Sequence, residues 1–139
     1  MKRIALAVAL ALASLSSPWI VTVQAAEVKA EADEVSNDQM VTYYEKGLIG
    51  KEVWVVDSRP AGKYIAGHIP GAPNLPLDVL MKDPTSADKL AIPKNGKVVF
   101  YCAGSECSLS VESAAFFRKM GYADAWVYRN GIPGWNQMS

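Results

Sequence analysis

The stretch from Val98 to Tyr128 constrains the fold more than any other part of the chain. Val98-Val99-Phe100-Tyr101 is continuously apolar, and so is Ala125-Trp126-Val127-Tyr128. Strands without polar alternation bury both faces, as in a parallel sheet covered by helices on each side. Between them, Ser108 to Met120 reads as a helix. At the helical step of about 100° per residue, Leu109, Ala114, Phe116, Phe117 and Met120 share one arc, with Glu112 and Lys119 opposite. Gly121 stops it. Strand, loop, helix and strand make one βαβ unit, and the fold class is α/β.

The remaining elements fit around that unit. Val53 to Val56 is a short run of β-formers bounded by Asp57 and Pro60. Pro93-Lys94-Asn95-Gly96 is a turn leading into the Val98 strand. Ser36 and Gln39 have capping-box spacing, and Met40, Val41, Tyr43, Tyr44 and Leu48 follow, so a helix is expected there, ending near Gly47 or Gly50. Gly67, Pro70, Gly71, Pro73 and Pro76 impose turns on the segment after the first strand. No internal repeat is present. With 139 residues, half of them apolar, one domain with a sizeable core is expected.

The first 25 residues do not belong to that domain. Lys2 and Arg3 precede an apolar run from Ile4 to Leu15, a Ser-Ser-Pro break at 16–18 and the small-residue exit Val23-Gln24-Ala25. This is the layout of a secretory signal peptide cleaved after Ala25, and it predicts a periplasmic or secreted protein. The competing reading is an uncleaved anchor over Ile4 to Val23; the serines and proline within it favour cleavage. After cleavage no stable membrane insertion is expected. Residues 26–35, charged and alanine-rich, read as a flexible leader, and residues 36–139 as the domain. The whole chain carries 14 basic and 14 acidic side chains, and cleavage removes two basic ones. A neutral to mildly acidic protein lacks the electrostatic footprint of a nucleic-acid binder.

Both cysteines lie in the loop Cys102-Ala103-Gly104-Ser105-Glu106-Cys107-Ser108, between a strand and the strong helix. Ligands in open α/β sheets bind at the carboxyl ends of strands, where Cys102 stands. The residues after it are small enough to curl with their N–H groups inward. Those amides and the positive helix end would favour a thiolate at Cys102, the nucleophilic form, with an anion bound beside it. Ser105 and Ser108 offer hydroxyl donors. Two bland readings compete: Cys102 as a small buried hydrophobe, and the pair as a structural disulfide. Two thiols and one distant histidine, His68, do not make a zinc site, so no metal and no cofactor is expected.

Further marks are Val55-Val56-Asp57-Ser58-Arg59, Tyr64, Gly67-His68-Ile69-Pro70-Gly71-Ala72, Asn74, Tyr101-Cys102, Gly121-Tyr122 and Gly131-Ile132-Pro133-Gly134-Trp135. In this order and spacing the chain resembles the rhodanese-like sulfurtransferase domain, above all its exported single-domain members, from about Ser36 to Trp135. The resemblance implies a largely parallel five-stranded sheet with helices on both faces. It implies that Cys102 takes a sulfane sulfur from a donor such as thiosulfate, a persulfide or a polysulfide. The resulting persulfide would then pass its sulfur to cyanide or a thiol. Residues Ala103, Gly104, Ser105, Glu106, Cys107 and Ser108 would cradle the persulfide and the transferred anion through their amides.

The chain departs from that pattern where many family members carry an arginine, five residues after the catalytic cysteine. Here the position is Cys107, preceded by Glu106, and no Lys or Arg lies between Cys102 and Arg118. One charge at about 4 Å is worth ~4 kcal/mol at an effective dielectric near 20, before desolvation. Thiosulfate activity is therefore expected to be weak, with a less charged donor preferred. Related phosphatases and arsenate reductases use a longer loop closed by arginine, which is absent here. Cys107 is also a candidate redox partner: it would attack a Cys102 persulfide, release sulfide and leave a disulfide. A non-catalytic sulfane-sulfur carrier or interaction module, or a Cys102–Cys107 dithiol redox protein, are the alternatives. His68 is expected to anchor its loop, and Asp57 and Arg59 to tie loops together, with Arg59 an outside candidate for donor contact. Trp54, Tyr101, Trp126 and Trp135 are expected to pack.

Overall fold

A computed structural model describes residues 33–139. The expected signal peptide and residues 26–32 of the expected leader lie outside the described residues.

The capping box at Ser36 forms as expected. Its hydroxyl accepts from Gln39 N at 3.2 Å, and the Gln39 side chain accepts from Ser36 N at 2.9 Å, starting a helix over Asn37–Glu45. In chain order the elements are β1 Asp33–Glu34, α1 Asn37–Glu45, β2 Val53–Asp57, α2 Ala61–Ala66, α3 Leu77–Lys82, β3 Lys97–Tyr101, α4 Leu109–Lys119, β4 Ala125–Tyr128 and α5 Gly131–Asn136. A 3-10 segment, Pro84–Leu90, follows α3. The described strands form one parallel sheet in the order β1-β4-β3-β2, with Val55 opposite Val99 and Phe100 opposite Val127.

Alternation along each strand divides the core in two. Val56, Val98, Phe100, Ala125 and Val127 face α4, the 3-10 segment and Leu80 of α3 on one side. Val53, Val55, Val99, Tyr101 and Tyr128 face Met40 of α1 and Trp135 of α5 on the other. Strands β2, β3 and β4 are buried on both faces, which is why the runs Val53–Val56, Val98–Tyr101 and Ala125–Tyr128 are apolar without a break, whereas the edge strand β1 is charged and exposed. Phe117 anchors α4: its ring meets Phe100 edge-on at 4.7 Å between centroids and lies 4.6 Å from Tyr122. Burial of such a ring is worth about 2–3 kcal/mol.

Two expectations need correction. Among the described residues the sheet has four strands, not five. The segment beside β2 makes one parallel bridge at Asn74, with Asp57 N donating to Pro73 O and Leu75 N to Asp57 O, each at 2.9 Å. Pro73 and Pro76 remove the amide donors that would extend it into a strand. The end of the expected leader also belongs to the fold. Asp33 and Glu34 pair with Trp126 and Val127, and Val35 is buried with its N–H on Val127 O at 2.9 Å.

Candidate functional site

All four strands run the same way, so their carboxyl ends open along one edge of the sheet. Asn37 follows β1 closely, Arg59 follows β2, the Cys102 loop follows β3, and Arg129-Asn130-Gly131 follows β4. The edge where these segments converge is where an open α/β sheet binds its ligand.

The loop between β3 and α4 is held from the β4 side. Ile132 N donates to the Cys102 carbonyl at 3.2 Å, and Arg129 Nη2 donates to the Ser105 carbonyl at 2.9 Å. Within the loop, Cys107 N donates to Gly104 O at 3.1 Å. Gly131 sits at φ +55°, and a Cβ there would stand 2.3 Å from the Cys102 carbonyl oxygen and 2.8 Å from Gly104 N. Glycine alone lets α5 begin pressed against the loop.

The sulfur of Cys102 is not in the environment expected of it. The residue is 1% exposed. Its Sγ lies 3.3 Å from Ser110 Oγ, 3.4 Å from the Cys107 carbonyl oxygen and 3.9 Å from the Gly104 carbonyl oxygen. Burial pushes the Cys102 thiol up, and the neighbouring Cys107 thiol adds to this; the Ser110 hydroxyl and amide oppose it without reversing it. These surroundings work against the amide-stabilised thiolate expected at Cys102. Turning Cys107 N back onto Gly104 O brings the Cys107 carbonyl, not its amide, to the sulfur. Cys107 is the opposite case. Its partial burial works against the anion, but the Cys102 thiol and the amides of Ala103 and Leu109 outweigh that, and its pKa is lowered. The amide cradle exists, and the sulfur that it favours is Cys107. Both cysteines are free thiols.

Cys107 also lines a cavity of about 620 Å³, together with Ala103, Gly104, Ser105, Glu106 and, from the neighbouring strand ends, Asn37 and Asn130. Pro133 and Gly134 of α5 and Gln137 just after it also line the cavity, and no Lys or Arg is among the lining residues. Asn37 is fixed in place, its Oδ1 accepting from Tyr128 OH and from Asn130 Nδ2, each at 2.8 Å. The wall is thus amide and hydroxyl with one carboxylate, suited to a polar guest of low negative charge. Of the expected cradle, Ala103 to Cys107 line the cavity; Ser108 does not, and its hydroxyl donates to Glu112 at 2.5 Å.

Arg59 is not a donor contact in this arrangement. It is 7% exposed, pairs with Asp57 at 2.7 Å and donates to the Gly67 carbonyl at 2.6 Å. Asp57 holds Arg59 in its charged form and accepts from Tyr101 OH at 2.7 Å, while Ile69 N donates to that same hydroxyl at 3.0 Å. Asn74 Nδ2 bonds the Asp57 and Arg59 carbonyls at 3.0 and 2.8 Å. The network ties the loops after β2 together, the role expected of the Asp57–Arg59 pair. Tyr101, expected only to pack, is also part of this polar network. His68 anchors its loop, with Nδ1 3.0 Å from the Tyr64 carbonyl and its ring stacked on Tyr64 at 3.8 Å.

Sequence reasoning missed Ser110, Asn37, Asn130 and Arg129. Ser110 had a signal: it stands two residues into the helix that follows the loop, on the turn facing the strand end. Asn130 and Arg129 directly follow a strand, which the strand-end rule would have caught had it been applied to β4. Asn37 had none, because its approach depends on β1 pairing with β4.

The rhodanese-like domain model matches residues 40–138. The chain is 35% identical over 103 residues to the HTH-type transcriptional regulator Rv0324 of Mycobacterium tuberculosis, an alignment covering 73% of this chain but only 41% of that protein. Among solved structures, the BH2092 protein of Bacillus halodurans superposes with a TM-score of 0.66 at 26% identity, covering 77% of this chain and 73% of that one. The human single-domain sulfurtransferase TSTD1 superposes at 0.64 with 22% identity, covering 78% and 98%, a likeness of fold. A family match spanning strands β2, β3 and β4, the loop and α5 leaves one assignment: this chain belongs to the rhodanese-like domain family.

Proposed function

We propose that the protein is a sulfurtransferase that accepts a sulfane sulfur from a small, weakly charged donor, carries it as a persulfide on Cys102 and delivers it to a thiol or to cyanide. The observation that carries this reading is a pair of free thiols at the carboxyl end of the central strand, one of them on the wall of a roomy cavity in a rhodanese-like domain. Family membership supports the reaction class, and the resemblance at Tyr101-Cys102 supports Cys102 as the carrier of the persulfide. The absence of a cation among the lining residues, with Glu106 present, favours an alkyl persulfide or polysulfide over thiosulfate. A dianion entering this cavity would have the Glu106 side chain on its wall and no lining cation to offset its charge. The N-terminal pattern supports export to the periplasm or beyond, with cleavage after Ala25.

A second reading, a dithiol redox protein, draws on the proximity of the thiols, each shifting the other's titration. One experiment separates the two. Sulfur transfer to cyanide and to a small thiol is measured from thiosulfate, an alkyl persulfide and polysulfide, with Cys102→Ala beside the parent. The expected result is turnover that Cys102→Ala abolishes, with kcat/KM for thiosulfate at least about tenfold below that for the persulfide. Persistence of turnover in Cys102→Ala overturns the proposal. Disulfide formation without sulfur transfer favours the redox reading.

A further inference from the structure

The two thiols of the loop have unequal access to the cavity. Cys107 lines it and Cys102 does not; at 1% exposure, Cys102 lies beneath its own loop with carbonyl oxygens at 3.4 and 3.9 Å. Attack on a sulfane sulfur needs a thiolate that can approach along the S–S axis of the donor. A thiol beneath the loop is out of line with a donor in the cavity, whereas Cys107 sits at the surface the donor reaches. We infer that Cys107 is the entry thiol of this protein: it takes the sulfane sulfur from the donor and hands it to Cys102, which holds it as the transferable persulfide. The inference rests on the sulfurtransferase reading above and adds a first step to it.

The chemistry balances without an outside oxidant or reductant. The Cys107 thiolate attacks the terminal sulfur of R–S–SH; a bond forms from Cys107 Sγ to that sulfur, the donor S–S bond breaks, and RSH leaves with the proton. Cys102 Sγ, losing its proton as it does so, then attacks the same outer sulfur, which Cys107 presents from within the loop. Its bond to that sulfur forms, the bond to Cys107 Sγ breaks, and Cys107 departs with the electron pair and the proton that Cys102 gives up. Ser110 Oγ, 3.3 Å from Cys102 Sγ, is placed to hold the attacking sulfur as that proton leaves. The sulfur added to Cys102 stands about 2 Å beyond the thiol, on the side from which Cys107, a residue of the cavity wall, handed it over.

The hand-over is tested by loading parent, Cys107→Ser and Cys102→Ser with an alkyl persulfide and, separately, with inorganic polysulfide. Quenched samples are digested after Glu106 and read for the gain of about 32 Da on each cysteine. In the parent the gain is expected first on Cys107 and then on Cys102. Cys102→Ser should accumulate it on Cys107, and Cys107→Ser should load Cys102 at least about tenfold more slowly. Circular dichroism and thermal melts confirm that both variants fold. Loading of Cys102 at the parental rate in Cys107→Ser overturns the inference, as does a folded Cys102→Ser that never gains sulfur on Cys107. Sulfide release with a Cys102–Cys107 disulfide and no intermediate overturns it as well. If neither cysteine gains sulfur in any variant, the sulfurtransferase reading itself fails.

Discussion

At the residue scale the decisive contrast is between two sulfurs five positions apart, one buried among carbonyls and the other on the cavity wall. Cys107 has a lowered pKa and Cys102 a raised one. A thiol is the reactive anion only above its pKa, so each alkylation curve is displaced the way its pKa moves. Iodoacetamide at about pH 7 is expected to label Cys107 before Cys102. The Cys107 rate should rise at lower pH than that of a free cysteine, and the Cys102 rate at higher pH. Peptide mass spectrometry across a pH series reads both, and labelling of Cys102 first would contradict the environment described here. Ser110 acts on Cys102 as a positioning residue, since its hydroxyl and amide are what oppose the upward shift. Ser110→Ala should move the Cys102 curve further up in pH and leave the Cys107 curve in place, a shift that a merely structural serine would not produce.

At the element scale the site is a contact between the β3–α4 loop and the start of α5. Gly131 is the hinge of that contact, with a left-handed φ and no room for a side chain against the Cys102 carbonyl. Gly131→Ala combines backbone strain of about 1–3 kcal/mol with a clash that must push the loop away. The expected outcome is a lowered urea midpoint together with faster alkylation of Cys102 as the loop lifts; an unchanged midpoint and rate would show that α5 gives way at no cost. The long elements were legible because their signals are local: a capping box for α1, unbroken apolar runs for β2, β3 and β4, and a helical arc for α4. Helices α2 and α3 and the 3-10 segment were not. Each spans six or seven residues among prolines and glycines, too short for a hydrophobic period to appear.

At the scale of the whole molecule, a buried polar network and an edge strand hold the sheet's loops in register. Arg59 and Asp57 form an ion pair with side chains 8% and 0% exposed, which Tyr101 and Asn74 join to the rest of the fold. Arg59→Met leaves the Asp57 carboxylate buried without its counter-charge, at a cost of about 3–5 kcal/mol. Equilibrium urea unfolding should show that loss, and a loss below about 1 kcal/mol would mean that Tyr101 and the backbone suffice to hold the carboxylate.

The sequence alone determined the fold class, the order of the principal elements and the loop that concentrates the thiols, because each follows from periodicity, turn chemistry or motif spacing along a short stretch. It also showed that no arginine lies within the loop itself. Tertiary structure decided the rest. The orientation of each peptide in the loop is set by Gly131, Arg129 and Ile132 pressing in from β4 and α5, and that orientation determines whether a sulfur meets an N–H or a C=O. Spacing places both cysteines in one loop, but only packing seals Cys102 and leaves Cys107 on the cavity wall.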